Sequence, residues 1–293
     1  MPVISYTDTH AHLSGLEQRG IKVHELLGEL FRTGEGPEAP RLGAVLDISL
    51  EPGDLARRIK AFSGYPRVRF ASGLWPHEGA IRERHKKVPE LEKDIRSAPP
   101  GLVCALGEFG LDHHWNSEDH GSEGSHDMAG ERELMEMQLD LAARLGLPVI
   151  IHSREAFRET LDLLSRYKGT RGVIHCFSYG SGEAGAFLDR GYYISFAGNL
   201  SFKNAAVLRE SCKAVPRDRL LLETDCPYLA PGPYRGGPSH PGMIEETYAC
   251  AAEIRNTGPE DLAELVRLNA AELFGPYFCV PQSKGTGSYE PAP

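Results

Sequence analysis

Two histidines stand two residues apart in Asp8-Thr9-His10-Ala11-His12-Leu13, just after the apolar-leaning run VISY. In an extended strand, residues i and i+2 face the same side, so His10 and His12 present two imidazoles together. The same chemistry recurs along the chain. Glu108 closes the run LVCALGE, His152 closes PVIIH, His175 closes GVIH and Asp225 closes LLLETD. Neutral imidazoles and carboxylates are ligands for zinc, manganese and magnesium and need no thiolate. Taken singly, each residue has an ordinary reading: a surface histidine at a strand end, a capping histidine, an exposed acid, an N-cap before CPYLAP. Taken together they form a metal site only if the fold gathers these strand ends.

The chain alternates short apolar runs with longer amphipathic stretches. Strands are expected at 2–8, 43–49, 67–73, 102–107, 147–152, 172–176, 191–196 and 219–224. Helices are expected near 53–62, 80–96, 131–145, 154–167, 181–189, 202–214, 242–255 and 259–273. The clearest is 131–145, where Leu134, Met137, Leu141 and Leu145 recur at helical spacing and Gly146 and Pro148 supply stop signals. Strand–helix alternation repeated eight times in one chain predicts an α/β fold, a (β/α)8 TIM barrel. In that architecture the functional groups sit at the C-terminal ends of the strands, where all six ligand candidates fall. A doubly wound open sheet is the rival, but no G-x-G-x-x-G follows the first strand. No short fixed repeat points to a solenoid. Residues 1–280 read as one barrel domain, and the Pro-, Gly- and Ser-rich tail 281–293 as disordered. Residues 113–130, HHWNSEDHGSEGSHDMAG, read as a polar loop insertion on the active face, either a mobile surface loop or a lid with accessory metal ligands.

The 293 residues carry a net charge of −9, which argues against nucleic-acid binding by charge alone. It does not exclude a nucleic-acid enzyme whose site holds divalent cations, because bound metals invert the local field. No apolar run is long enough to span a bilayer, and the N-terminus has no signal-peptide pattern. Cys104, Cys176, Cys212, Cys226, Cys250 and Cys279 form no C-x-x-C pair and read as reduced cytosolic thiols. A cytoplasmic protein with no membrane contact and no obligate protein partner is expected.

The motifs DTHAHL, ALGEFGLD, PVIIHSREA, VIHCFS and ETDCPYLAP, in this order and spacing, resemble those of TatD-type metal-dependent deoxyribonucleases, barrel hydrolases of the wider amidohydrolase group. ISFAGNLSFKNA and VRLNAAELFG are also similar, so the resemblance spans about residues 4–275. It implies two divalent ions per chain, Mg2+, Mn2+ or Zn2+. His10, His12 and Asp225 would hold one, His152 and His175 the other, and Glu108 would bridge them. Chemistry agrees, because two cations about 4 Å apart need a shared anion, and a cation lowers the pKa of water toward neutrality. Asp225 is the expected general base, with Glu108 also counted as catalytic. Arg154 is a candidate phosphate clamp or a surface ion-pair residue. His77 is a candidate substrate contact or proton donor, or an ordinary loop histidine. Tyr228 is a candidate stacking surface, or core packing. Asp112 is a candidate support for a metal ligand.

The implied activity is hydrolysis of phosphodiester bonds by a deoxyribonuclease or exonuclease acting on DNA ends, single-stranded or frayed. The alternative is hydrolysis of a small amide, ester or lactone at the same site. Three stretches depart from the family pattern. Trp75-Pro76-His77 stands where HPH is common, Phe177-Ser178-Tyr179-Gly180 where FSG is common, and Arg235-Gly236-Gly237-Pro238-Ser239-His240-Pro241 where a sequence like RGKRNEP is common. These changes leave the metal set intact and bear on substrate recognition.

Overall fold

The computed structural model describes residues 4–32, 41–116 and 127–276. Eight strands form one sheet: β1 Tyr6–Ala11, β2 Leu42–Ser49, β3 Val68–Ser72, β4 Val103–Asp112, β5 Val149–Arg154, β6 Gly172–Ile174, β7 Tyr193–Phe196 and β8 Leu220–Leu222. They pair in parallel in chain order. Past its last strand the sheet returns to its first, where the Asp225 amide donates to the His10 carbonyl at 2.9 Å and the His12 amide to the Cys226 carbonyl at 2.8 Å. The Thr9 hydroxyl spans the same seam to the Leu222 carbonyl at 3.0 Å. This is the expected (β/α)8 barrel, but β1 starts four residues later than expected and β4 runs five residues further, which places Glu108 inside that strand.

Parallel strands are joined by crossovers that cover the sheet, so they are buried on both faces and become near-continuously apolar. Runs such as Val149–Ile151 and Leu220–Leu222 are accordingly buried throughout. The barrel holds the core together with the inner faces of its helices, including Leu163, Phe187, Tyr248 and Val266.

Several helices differ from expectation. The 80–96 stretch is two helices, Glu78–Arg82 and Arg84–Ser97, and the His77 side chain caps the first. The helix expected from 154 begins at Phe157, because Arg154 still belongs to β5 and Glu155 takes a left-handed turn with φ 57°. The helix expected from 202 begins at Ala206, after a 3-10 turn over Gly198–Ser201. Val23–Leu30 forms a helix that the sequence reading lacked, burying Val23, Leu27 and Leu30 at helical spacing. In the helix Met128–Leu145 the buried stripe runs through Glu131, Leu134, Met135, Gln138, Leu139 and Ala142, whereas Met137 and Leu145 are only partly buried. The 113–130 stretch is not a loop at its ends, since His113–Asn116 and the residues from Met128 onward are helical. Residues 117–126 of that stretch, and the tail 281–293, lie outside the described residues.

Candidate metal centre

The six ligand candidates arrive at one end of the barrel from five strands. His10 and His12 ride the fully buried β1 and its first residue beyond. Asp8 secures that strand against the residues after β8, its Oδ2 accepting from the Thr224 hydroxyl at 2.6 Å and its Oδ1 from the Thr224 amide at 3.0 Å. The next residue is Asp225, held at φ 54°. Left-handed backbone is uncommon outside glycine, although aspartate tolerates it better than most residues. Glu108 sits at a bulge. Gly107 pairs with Ile150 and Phe109 with Ile151, so Glu108 is the extra residue between them. A bulge re-aims a side chain that a regular strand would point elsewhere. Gly110 allows β4 to approach β5 this closely, because a Cβ there would overlap the His152 carbonyl oxygen.

The ligand atoms converge. His10 Nε2 and His12 Nε2 are 3.3 Å apart. Glu108 Oε2 lies 3.3 Å from the first and 3.6 Å from the second, and Asp225 Oδ1 lies 3.7 Å and 3.4 Å from them. Ligand atoms set tetrahedrally about 2.1 Å from one ion stand about 3.4 Å apart, so this quartet fits a single cation. On the other side, Glu108 Oε1 lies 2.8 Å from His152 Nδ1 and 2.9 Å from His175 Nε2, and those nitrogens are 3.2 Å apart. Ligands at right angles around an ion at the same radius are about 3.0 Å apart, which this trio matches. Glu108 turns one oxygen to each group. The His10 and His175 rings stack with centroids 4.1 Å apart, so the two groups share a wall. Two triads, His10–His12–Asp225 and His10–Glu108–His175, each have all their ligand atoms within 4.8 Å of one another.

Outer contacts fix the rings. An imidazole that offers one nitrogen to a metal needs an acceptor for the N–H on the other. His12 Nδ1 faces the Ile48 carbonyl at 3.3 Å, His152 Nε2 faces Asp112 Oδ2 at 2.9 Å and His175 Nδ1 faces Glu223 Oε1 at 3.3 Å. Glu223 Oε1 also accepts the Cys176 amide at 2.7 Å, which pins the chain just past His175. Sequence reasoning missed Glu223 and Asp8, although the i, i+2 acids of ETD were visible as a signal. His10 Nδ1 is buried without a hydrogen-bond partner.

The electrostatics ask for a cation. Burial pushes the Glu108 carboxyl up, but His175, His10 and His152 outweigh it and hold it well below the usual range. Burial lowers His175, yet Glu108 and Glu223 raise it well above an ordinary histidine. His12 and His152 are likewise raised by neighbouring carboxylates against the pull of burial, whereas burial and His175 lower His10. Buried Glu108, Asp112, Glu223 and Asp225 thus draw positive charge onto the imidazoles. A divalent ion satisfies the same demand while leaving those rings neutral and able to ligate. The donor set fits divalent metal.

The candidate substrate residues fall differently. Arg154 ends β5 with its guanidinium 5.9 Å from the Trp115 ring centroid, and it makes no ion pair with a described carboxylate. Tyr228 is 48% exposed with its ring 6.0 Å from that of His12, so it borders the centre instead of filling the core. His77 has both nitrogens engaged within the chain. Its Nδ1 accepts from the Gly79 and Ala80 amides at 3.1 and 3.3 Å, and its Nε2 faces the Glu51 carboxylate. Trp75 packs edge-on against His152 at 5.8 Å, so the indole that replaces a polar group supports a ligand ring.

The chain is similar to known proteins along most of its length. The family described as TatD related DNase matches residues 7–275. An uncharacterized metal-dependent hydrolase of Escherichia coli K12, YcfH, is 34% identical over 271 residues, covering 91% of this chain and 94% of its own. The uncharacterized metal-dependent hydrolase YabD of Bacillus subtilis is 30% identical over 271 residues, covering 91% of this chain and 98% of its own. Among solved structures, the TatD homolog YJJV of Escherichia coli K12 superposes with a TM-score of 0.77 at 26% identity, covering 92% of this chain and 97% of that one.

Proposed function

Because the chain belongs to the TatD-related DNase family and is a metal-dependent hydrolase, we propose that it hydrolyses phosphodiester bonds as a deoxyribonuclease, removing nucleotides from single-stranded or frayed DNA ends. The observation that carries this reading is the division of Glu108 between two donor groups, one oxygen facing His10 and His12 and the other His152 and His175. His10, His12, Asp225 and Glu108 would hold one divalent ion, and Glu108, His152 and His175 a second. Mg2+, Mn2+ and Zn2+ all suit such ligands. When bound, these ions make hydroxide available near neutral pH and neutralise a phosphodiester with its leaving oxygen.

The chain's own residues supply the rest. Asp225, held by its backbone at the β8–β1 seam, accepts a proton from the attacking water. Arg154, lacking a described carboxylate partner, is available to a phosphate oxygen in the paired geometry that guanidinium favours. Tyr228 offers an exposed ring beside His12 to a base or sugar. Among the described residues no helix is long and apolar enough to cross a membrane. Cytoplasmic residence belongs to the same proposal, in keeping with the five cysteines among the described residues, all of them free.

End-labelled single-stranded DNA incubated with the metal-loaded protein tests the reading. It predicts stepwise shortening that a chelator abolishes and that Asp225→Asn reduces by about 10²–10⁴-fold. Intact DNA after incubation with protein shown to hold metal would contradict it. The same centre would then be assigned to small amides, esters or lactones.

A further inference from the structure

Trp115 is 41% exposed, an unusual position for a large aromatic side chain, and it belongs to the short helix that directly follows β4. Its placement is not accidental to the metal centre. Asp112 pairs with Arg154 across β4 and β5, just as Gly110 pairs with His152. Asp112 Oδ2 faces His152 Nε2 at 2.9 Å, while its Oδ1 accepts the Trp115 amide at 3.0 Å. One carboxylate therefore fixes both a metal-ligand ring and the backbone that carries the indole. Arg154 stands two residues beyond His152 on β5, on the same side of the strand and about 7 Å further toward the rim. Its guanidinium lies 5.9 Å from the Trp115 ring centroid. His114, held by Glu155 at 2.9 Å, meets the indole edge-on at 5.2 Å and fixes its tilt.

We propose that Trp115 and Arg154 form a nucleotide subsite at the rim of the metal centre, the indole stacking on a nucleobase while the guanidinium holds the adjoining phosphate. The proposal rests on the phosphodiester reading and deepens it, because it names the substrate part recognised outside the reacting phosphate. A stacking face recognises a base without regard to its sequence, as every base has a π surface. A cation beside that face recognises the phosphate that every nucleotide carries. An acidic chain thus acquires local affinity for nucleic acid at the rim of its metal centre.

Trp75 and Trp115 are the two tryptophans of the chain, so Trp75→Phe leaves Trp115 as the sole indole reporter. The metal-loaded Trp75→Phe protein is titrated with deoxyadenosine 5′-monophosphate, deoxyribose 5-phosphate and inorganic phosphate while tryptophan emission is followed. Quenching by the nucleotide, and not by the two base-free probes, is expected. Calorimetry on the otherwise wild-type protein is expected to show that Trp115→Ala weakens the nucleotide about tenfold and leaves deoxyribose 5-phosphate unchanged, with Trp115→Phe restoring most of the loss. Circular dichroism of both variants is expected to match that of the wild type. Equal quenching by all three probes, absence of quenching by the nucleotide, or undiminished nucleotide binding by Trp115→Ala would overturn the subsite. The two readings fail separately. Base-dependent quenching in a protein that leaves DNA intact supports the subsite against the DNA assignment. DNA shortening with an unchanged KM in Trp115→Ala removes the subsite and leaves the nuclease.

Discussion

Glu108 has no oxygen to spare, with Oε2 shared by His10 and His12 and Oε1 by His152 and His175. His12, His152 and His175 each depend in turn on whatever holds the other nitrogen. Asp112 plays that part for His152. Asp112→Asn is expected to weaken the ion at the His152–His175 side by about 10–100-fold and to leave the His10–His12–Asp225 side near wild type, as read in a calorimetric metal titration. Equal weakening of both ions, or of neither, would show that Asp112 does not orient His152. These residues differed in how readable they were. His10, His12, Glu108, His152, His175 and Asp225 stood out because each carries ligand chemistry at the end of an apolar run. Glu223 and Asp8 did not, because a carboxylate that orients a ring across the barrel looks like any other acid until its partner is in place. His77 showed the reverse problem, since a histidine after a strand gives no sign that its Nδ1 will cap a helix.

The strand pair β4–β5 carries Glu108 and His152 together, and its register depends on a bulge and a bare backbone. Gly110→Ala would drive a methyl into the His152 carbonyl. The expected result is a loss of about 1–3 kcal/mol of stability in urea unfolding together with loss of metal binding. A variant that keeps both would remove the close approach from the account. The helix Met128–Leu145 supports the same strand through Glu131, whose Oε1 accepts from the Asp112 amide at 2.7 Å and from Asn116 at 2.9 Å. Burial raises the Glu131 carboxyl from 4.5 to about 7, against the lowering effect of those two donors. A carboxyl raised on folding keeps its proton in the folded chain after the unfolded chain has released it. Its contribution is therefore present below pH 4.5 and is lost as pH rises toward 7. Glu131→Gln mimics the protonated form. The variant should match wild type near pH 4.5 and exceed it at pH 8 by up to about 3 kcal/mol, measured by urea unfolding at both pH values. A difference that does not change with pH would refute the buried proton. The strands were legible because a barrel strand is buried on both faces and reads as an apolar run. Helix starts were harder. The 154–167 stretch has helical periodicity from its first residue, but the register with β4 keeps Arg154 in the sheet. The bulge at Glu108 left no trace in composition, since it is a property of pairing.

At the scale of the whole molecule, the net charge of −9 and a DNA substrate are compatible only if positive charge is concentrated where phosphate binds. Divalent ions held by the ligands that converge from five strands on one end would do this, with Arg154 at the rim. The departures from the family pattern at Trp75, Tyr179 and Arg235 leave that concentration in place. Trp75 braces His152, and the Tyr179 hydroxyl bonds Ser153 at 2.9 Å, next to the same ligand. The Arg235 guanidinium lies 4.4 Å over the Phe202 ring. The claim on which everything else depends is a two-ion centre bridged by Glu108, and metal content tests it most directly. Wild-type protein and Glu108→Gln, each loaded with Zn2+ and freed of excess by gel filtration, would be compared by elemental analysis. About two ions per chain are expected in the wild type and at most one in the variant. Fewer than one ion in the wild type, or two retained by Glu108→Gln, would contradict it.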